Sequence, residues 1–298
     1  MVTQRDLFGT VGGGRLEYRA ARLARAMLRA GAPAQRREFP LGPELGQCCG
    51  GHVALHFRPV SQRDRGWLEP LRAWIAAGRA AALVFAADDA GCIAVSGDDV
   101  AGDLGPRGAA AMRAARMALA GVAASGEDWH VVCVRPPDCV VYLFGAGHVG
   151  RALAAILGQL PCRVVWIDER ADSFPAAIPA NVAAIRAADP AAEAARAPKG
   201  AYVLVMTHSH ARDQRIVEAA LRRGDFAYLG LIGSATKRAR FAARLRAAGI
   251  GEAVLARLVC PIGAEGIPGK EPGVIALAAA AEIMRRHRAA PASLARTA

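Results

Sequence analysis

The sequence contains no run of about 18 uncharged apolar residues, the length that a membrane-spanning helix needs. Residues 1–20 lack the basic start, apolar stretch and small-residue cleavage site of a secretory signal. The seven cysteines are an odd number, without the spacing of a disulfide framework. Together these absences predict a protein without a membrane-spanning helix, located in the cytoplasm with reduced thiols.

Nucleic-acid-binding signatures are also missing, although the chain carries a formal net charge of +12. There is no helix-turn-helix, zinc-finger or aromatic ribonucleoprotein motif. Much of the positive charge is arginine in alanine-rich helices, as in residues 15–29 and 238–246, where arginine is an ordinary residue of a solvent-exposed face. We therefore expect the excess charge to attract an anionic ligand or an acidic protein surface, and not DNA or RNA.

The length of 298 residues and a change of pattern near residue 130 predict two domains. Residues 127–138 contain Pro136 and Pro137, which interrupt regular structure, and are predicted to be a linker. Residues 1–126 are expected to form a small α/β domain. A strand should lead into the glycine turn at residues 9–14, followed by a helix from residue 17.

In residues 139–298 apolar strands alternate with helices, the pattern of a doubly wound parallel sheet. The predicted strands cover residues 140–144, 163–168, 182–185, 202–207, 227–232 and 259–262. The fold class is therefore α/β, with a Rossmann-like C-terminal sheet and a smaller N-terminal α/β domain.

Gly145, Gly147 and Gly150 form the motif G-x-G-x-x-G between a predicted strand and a predicted helix. Such a turn presents backbone N–H groups and a helix N-terminus to a phosphate. Asp168 ends the next strand, at the place of the acid that binds the ribose in dinucleotide-binding folds. The motif indicates a Rossmann-like domain, but its glycines can equally serve helix–strand packing without a dinucleotide.

Further polar groups follow the later strands, at the sheet edge where doubly wound folds build their sites. Their residues are His208, His210 and Asp213 after the fourth strand, Gly233, Ser234 and Lys237 after the fifth, and His148 and Cys260 at other strand ends. We expect the histidines to bind an anion or a metal, or to transfer a proton. The alternative is that Ser209 or His210 only caps the helix. We interpret Gly233, Ser234 and Lys237 as a phosphate-binding site, or else as solvated residues at the start of a helix.

Two adjacent cysteines precede two glycines in the segment Gln47-Cys48-Cys49-Gly50-Gly51. Neighbouring side chains point in different directions on any regular element, so both thiols cannot fill one core position. Thiolates suit soft metals and sulfur transfer, and the glycines let the backbone pass close to a ligand. The alternative is a pair of small buried residues beside a turn, because free cysteine is among the most buried residue types.

Several of these motifs together resemble the XdhC/CoxI family, in the same order and over nearly the whole chain. They are Gly9-Thr10-Val11-Gly12-Gly13-Gly14, Gln47-Cys48-Cys49-Gly50-Gly51, Leu143 to Gly150, Asp168-Glu169-Arg170, Thr207 to His210, Tyr228 to Ser234 with Lys237, Cys260-Pro261-Ile262-Gly263 and Gly269-Lys270-Glu271-Pro272. Family members usually have a further helix and strand before the first motif, so the N-terminal sheet is expected to lack a strand.

The resemblance implies a non-catalytic chaperone of the molybdenum cofactor. Such proteins hold the cofactor while a cysteine desulfurase supplies its sulfido ligand, and deliver it to the molybdenum subunit of xanthine dehydrogenase. They are often homodimers. Cys48 and Cys49 would then contact the molybdenum or the transferred sulfur. The alternatives are an NAD(P)-dependent oxidoreductase that uses the Gly145 turn, with His208 or His210 as acid or base, and an assembly factor that binds no cofactor.

Overall fold

The computed structural model describes residues 1–41, 51–87, 91–126, 129–263 and 265–289. The chain forms two compact units, residues 1–136 and 137–298. The division falls within the segment 127–138 in which the sequence predicts a linker. That segment also holds a strand of the first unit, Trp129–Val134, which the sequence analysis did not predict.

The first unit combines a four-stranded antiparallel sheet with a separate hairpin. Its helices are α1 (Gly14–Ala30), α2 (Arg65–Ala76) and α3 (Gly108–Leu119). Its strands are β1 (Gln35–Pro40), β2 (His52–Phe57), β3 (Ala81–Ala86), β4 (Cys92–Ser96), β5 (Asp99–Asp103) and β6 (Trp129–Val134). The hairpin consists of β1 and β2, and the sheet has the order β5-β4-β3-β6.

Helices on both faces bury the central strands of this sheet. Trp67 of α2 packs in one cluster with Leu83, and Ala111 of α3 packs in another with Val84. Successive residues of a strand point to opposite faces of the sheet. Because helices cover both faces here, every residue of β3 is apolar.

The N-terminal segment differs from its prediction. In residues 1–13 the β pairing is an isolated antiparallel bridge between Val2 and Leu7, where a strand was expected. The helix begins at Gly14, three residues earlier than predicted, because the glycine turn folds back onto it. The Glu17 carboxylate accepts hydrogen bonds from the Thr10 hydroxyl and, at 3.0 Å, from the Val11 N–H.

The second unit is the predicted doubly wound domain. Its strands are β7 (Cys139–Phe144), β8 (Cys162–Asp168), β9 (Val182–Arg186), β10 (Tyr202–Val205), β11 (Tyr228–Leu231) and β12 (Leu258–Val259). Its helices are α4 (His148–Leu157), α5 (Pro190–Arg196), α6 (His210–Arg223), α7 (Ala235–Ala247), α8 (Glu252–Leu255) and α9 (Pro272–Ala289). All the strands pair in parallel, in the order β12-β11-β10-β7-β8-β9, which is that of the dinucleotide-binding folds. The short helices α5 and α8 were not predicted from the sequence.

Two apolar clusters sandwich this sheet. Leu153 of α4 and Ile283 of α9 belong to the cluster on one face. Ile216 of α6 and Phe241 of α7 belong to the cluster on the other. Helices on both faces explain why the strands are apolar without alternation. Among the described helices, none is both long and apolar enough to cross a lipid bilayer.

Replacing Gly150 tests the packing of α4 against the sheet. A Cβ at this position would lie 2.0 Å from the Gly145 carbonyl oxygen, a backbone atom that has no rotamer by which to move away. We expect Gly150→Ala to lower the free energy of unfolding by about 1–3 kcal/mol, the usual cost of overpacking. Urea unfolding followed by circular dichroism measures this loss.

Gly147→Ala is the matched control, because a Cβ there meets no atom within 4 Å and the residue has a φ of −74°. Its expected loss is less than about 1 kcal/mol, the difference between glycine and alanine at a helix start. Equal stability of the Gly150→Ala variant and the unmodified protein would contradict the packing argument.

Candidate functional site in the C-terminal unit

The strand order of the second unit creates a crevice between β7 and β10. From β7 the chain moves outward through β8 and β9, and then returns to build β10, β11 and β12 on the other side. Loops that follow β7 and β10 therefore leave the sheet in opposite directions, and such switch points are where open α/β sheets bind ligands. The residues of this unit that the sequence predicts as a site follow β7, β8, β10, β11 and β12 at the same edge of the sheet.

The glycine turn after β7 fits tightly against the loop after β10. Gly145 has a φ of +113°, and a Cβ there would lie 2.4 Å from the Met206 carbonyl oxygen. Its N–H donates to the Ile167 carbonyl at 2.8 Å, and its own carbonyl accepts from the Trp166 indole N–H at 3.0 Å. Gly145 and Gly150 are thus required by the fold itself.

Gly147 is different, because the fold leaves the space beside it open. No atom lies within 4 Å of the position that a Cβ would take. Gly147 precedes α4, and no side chain caps the amides of this helix start. The exposed His148 is the first residue of the helix. Uncapped amides and the positive end of the helix dipole make this the place at the sheet edge best suited to an anion.

Asp168 lies where the sequence predicts a ribose-binding acid, but protein groups already occupy its carboxylate. Oδ2 accepts the Ala146 N–H at 2.8 Å, and Oδ1 accepts the Arg170 N–H at 3.0 Å. The Arg170 guanidinium adds bonds of 3.0 Å to both oxygens. Asp168 is 4% exposed, so its role in this structure is to fasten the glycine turn to the loop after β8.

Charged side chains also surround His208, which follows β10. Glu169 Oε2 lies 2.6 Å from Arg212 Nη2, and Arg212 Nη1 lies 2.8 Å from His208 Nε2. Because a guanidinium has only donors, the imidazole nitrogen acts as the acceptor in this arrangement. The neighbouring His210 begins α6 and packs edge-on against Phe241, with ring centroids 6.4 Å apart. The two histidines thus have different surroundings, although they are two residues apart.

A buried ion pair connects the loops after β10 and β11. Asp213 is fully buried, and its Oδ1 accepts the Thr207 hydroxyl at 2.7 Å and the Thr207 N–H at 3.0 Å. Its Oδ2 lies 2.7 Å from Lys237 Nζ, which also donates to the Ile232 carbonyl at 2.8 Å. Such a pair is costly to break, because a single remaining buried charge would have no partner.

This ion pair bears on the predicted phosphate-binding site at Gly233, Ser234 and Lys237. The Ser234 hydroxyl accepts the Lys237 N–H at 3.2 Å and so caps α7. The ammonium group already has two acceptors in the protein. Replacing Lys237 would therefore leave the buried Asp213 carboxylate without its cation. The free energy of unfolding would change whether or not the lysine also contacts a ligand.

Cys260 extends the same edge beyond β12. Its thiol is buried and lies 3.8 Å from the Ser234 carbonyl oxygen. Burial raises the pKa of this thiol, although the cations Lys237 and Arg238 act in the opposite direction. The loop that follows is fastened by Glu282 of α9, which accepts the Gly263 N–H at 2.9 Å and the Tyr228 hydroxyl at 2.8 Å.

Sequence reasoning did not assign a site role to Glu169, Arg170, Arg212 or Glu282. Arg170 and Glu282 each have a partner close in the sequence, Asp168 and Arg286. The pair of Glu169 with Arg212 joins residues that follow different strands, so no local spacing predicts that contact. Glu282 carried one usable signal, a carboxylate within an otherwise apolar stretch of α9. A carboxylate in such a stretch indicates a buried hydrogen-bond network, and here its members are Arg286, one turn away, together with Tyr228 and Gly263.

The predicted cysteine pair lies outside the described residues. Cys48, Cys49 and Gly50 belong to the segment 42–50, which connects β1 to β2 in the sequence. Gly51 accepts a hydrogen bond of 2.8 Å from the Leu41 N–H and extends the hairpin by one step. Within the part of the chain that the structure describes, no group of three or more histidine, cysteine or acidic side chains could hold a metal ion.

The hydrogen bonds around Asp168 predict a pH-dependent stability. Burial would raise its pKa, but the bonds from Arg170 and Ala146 outweigh that effect and lower the pKa from 3.8 to about 2. A lowered carboxylate pKa stabilises the folded state above pH 4, and this contribution, about 2 kcal/mol, is lost as the pH falls from about 4 to about 2. Urea unfolding at pH 5 and pH 2 should therefore differ less in Asp168→Asn than in the unmodified protein.

Asp172→Asn, at an exposed carboxylate four residues away, is the control for a general effect of charge removal. An unchanged pH dependence in Asp168→Asn, or an equal change in the control, would contradict the assignment.

Comparison with known proteins agrees with this architecture. The chain is 19% identical to a crystal structure described as a xanthine dehydrogenase from Bacillus halodurans, with a TM-score of 0.69 over 96% of this chain and 84% of that one. It is 31% identical over 157 residues to the uncharacterized protein YqeB of Escherichia coli K12, a match that covers 51% of this chain and 28% of the length of YqeB. The XdhC Rossmann domain matches residues 141–283, and the XdhC and CoxI family matches residues 1–39. Since these two matches cover more than half of the sequence in the expected order, the chain belongs to the XdhC and CoxI family.

Proposed function

We propose that this protein carries the molybdenum cofactor, holds it for sulfuration and delivers it to xanthine dehydrogenase. Family membership supports a role in the maturation of that enzyme. A cofactor carrier needs a binding site, but no group that transforms a substrate, so the proposal is for a non-catalytic accessory protein.

The observation that carries the proposal is the open helix start at Gly147. The cofactor has a phosphate group, and uncapped amides at a helix N-terminus bind phosphate. Unlike Gly145 and Gly150, whose added Cβ would collide with backbone, Gly147 has no structural reason to lack a side chain. A glycine that the fold does not need is explained by a ligand that approaches the backbone closely.

The alternative, an NAD(P)-dependent oxidoreductase, is favoured by the strand order and the glycine motif. It requires an acid that is free to accept the ribose hydroxyls. Asp168 already accepts four hydrogen bonds from Arg170 and Ala146, so a ribose could bind there only if Arg170 moved away. This occupied carboxylate is why we prefer the carrier.

Cys48 and Cys49 complete the proposal through the chemistry of sulfur. Thiolates are the protein ligands best suited to a soft metal and to a transferred sulfur atom. The segment that carries them leaves and re-enters a hairpin whose last paired residues are Pro40 and His52. A cysteine desulfurase as the sulfur donor and a homodimeric assembly belong to the same proposal.

Gly147→Ala tests the phosphate position. The added methyl group would occupy the space that the anion needs, and the loss of one charge-assisted hydrogen bond costs about 1.5–3 kcal/mol. We therefore expect at least tenfold weaker cofactor binding, measured by pterin fluorescence after anaerobic purification, with little change in unfolding free energy. Gly108→Ala, at the open start of α3, is the matched control.

Unchanged affinity in Gly147→Ala would place the phosphate elsewhere. Tight NADH binding with turnover of a substrate, in place of bound pterin, would favour the oxidoreductase.

Replacing the cysteine pair tests the contact with the metal. Cys48→Ala and Cys49→Ala should each reduce the bound molybdenum, measured by mass spectrometry, and weaken the activation of xanthine dehydrogenase in a reconstitution assay. Cys133→Ala removes an exposed thiol on β6 and is the control. If both variants retain full molybdenum and full activation, the thiols are structural and this part of the proposal fails.

A further inference from the structure

The outer face of α1 carries a regular stripe of arginines. The positions that form it are Arg15, Arg19, Arg22, Ala26 and Arg29, spaced by four, three, four and three residues. Four of the five positions are therefore cationic. At 100° per residue these positions fall within an 80° arc, and at 1.5 Å per residue the stripe is about 21 Å long.

Packing of the opposite face fixes the direction of the stripe. Leu16, Ala20 and Met27, on the other side of α1, are buried, with exposures of 4–7%. All the arginines of the stripe are exposed. A depression of about 370 Å³ lies along it, lined by Arg19, Arg22, Leu23, Arg25, Ala26 and Arg29. The short side chain of Ala26 leaves this space free among the longer arginines.

The stripe has no acidic counterpart on its own helix. Glu17, the one carboxylate of α1, points away and binds Thr10 and Val11. Arginines on other helices pair with a carboxylate four residues away, as in Arg65 with Glu69 and Arg222 with Glu218. Among the described residues, the structure gives none of the four stripe arginines an ion pair, and Arg22 instead stacks on the exposed Tyr18 ring at 5.8 Å.

We propose that this stripe is a docking surface for an acidic helix of a partner protein. Like charges at this spacing repel one another along a helix, so the stripe destabilises α1 unless opposite charges approach it. Spacings of four and three residues are those at which one helix contacts another lying along it. Carboxylates at the same spacing on a partner would each face a guanidinium, which binds carboxylate in a bidentate manner. The exposed Tyr18 ring beside the stripe adds an aromatic contact of the kind enriched at protein interfaces.

The proposal is tested on the full-length protein with two labelled helical peptides of identical composition. One carries glutamates at alternating spacings of four and three residues along one face, and the other distributes them around the helix. Fluorescence anisotropy at 50 and 200 mM NaCl gives the dissociation constants. We expect the striped peptide to bind at least tenfold more tightly than the distributed one, with an affinity that falls at the higher salt concentration.

The variant Arg19→Glu with Arg22→Glu should weaken binding of the striped peptide at least tenfold, and Arg19→Gln with Arg22→Gln should give a smaller loss. The matched control is Arg240→Glu with Arg244→Glu, which makes the same charge change at exposed positions one turn apart on α7. Circular dichroism checks that every variant is folded. The control should retain the affinity of the unmodified protein.

Three results would overturn the proposal. Equal binding of the two peptides would mean that the surface recognises charge and not a helical arrangement of it. Equal losses in the α1 and α7 variants would mean that the net charge, and not the stripe, attracts the peptide. Tighter binding of a 24-base-pair DNA duplex than of the striped peptide, lost in the α1 variant alone, would assign the surface to nucleic acid.

Discussion

The close approach of two backbone segments at the switch point is the constraint on which the C-terminal unit depends. The turn at Gly145 lies against the carbonyl of Met206, and α4 lies against the carbonyl of Gly145 through Gly150. Neither contact tolerates a Cβ, so both glycines are fixed by packing. Because α4 is held so close to the sheet, its first amides lie at the crevice between β7 and β10. The geometry that packs the domain therefore also places these uncapped amides at the crevice.

Charged side chains fasten the other loops to that edge. Asp168 connects the glycine turn to the loop after β8, and Asp213 connects the loops after β10 and β11 through Lys237. Glu282 holds the loop after β12. Each carboxylate is buried and satisfied by several donors, which suits an edge that must stay rigid without a ligand. The same saturation leaves the Asp168 carboxylate without the free lone pairs that the ribose-binding acid of a dehydrogenase uses.

The two proposals use different parts of the molecule and different physical effects. The proposed carrier function depends on backbone amides at a helix start. There the affinity for the cofactor would be set by where the amides lie. The stripe on α1 depends on the periodicity of charge along an exposed helix, where the tertiary structure contributes chiefly the direction of the face. A carrier that receives and delivers a cargo needs both a site for the cargo and surfaces for proteins. In this proposal the arginines of α1 form a surface for a partner protein.

The sequence by itself determined the fold class, the parallel arrangement of the second unit and the family, because strand and helix periodicity and the motifs Gly145 to Gly150 and Thr207 to His210 are local patterns. It did not determine β5, β6 or the absence of a regular strand before Gly12, since these depend on pairing partners distant in the chain. Only the tertiary structure decided that Gly147 is open while Gly145 and Gly150 are not, and that Asp168 and Lys237 already have partners. Whether a polar residue is free to bind a ligand depends on contacts that folding makes: Lys237 pairs with Asp213, 24 residues away, and Asp168 binds the Ala146 N–H, 22 residues away, as well as the neighbouring Arg170. No spacing within the sequence encodes the distant partners.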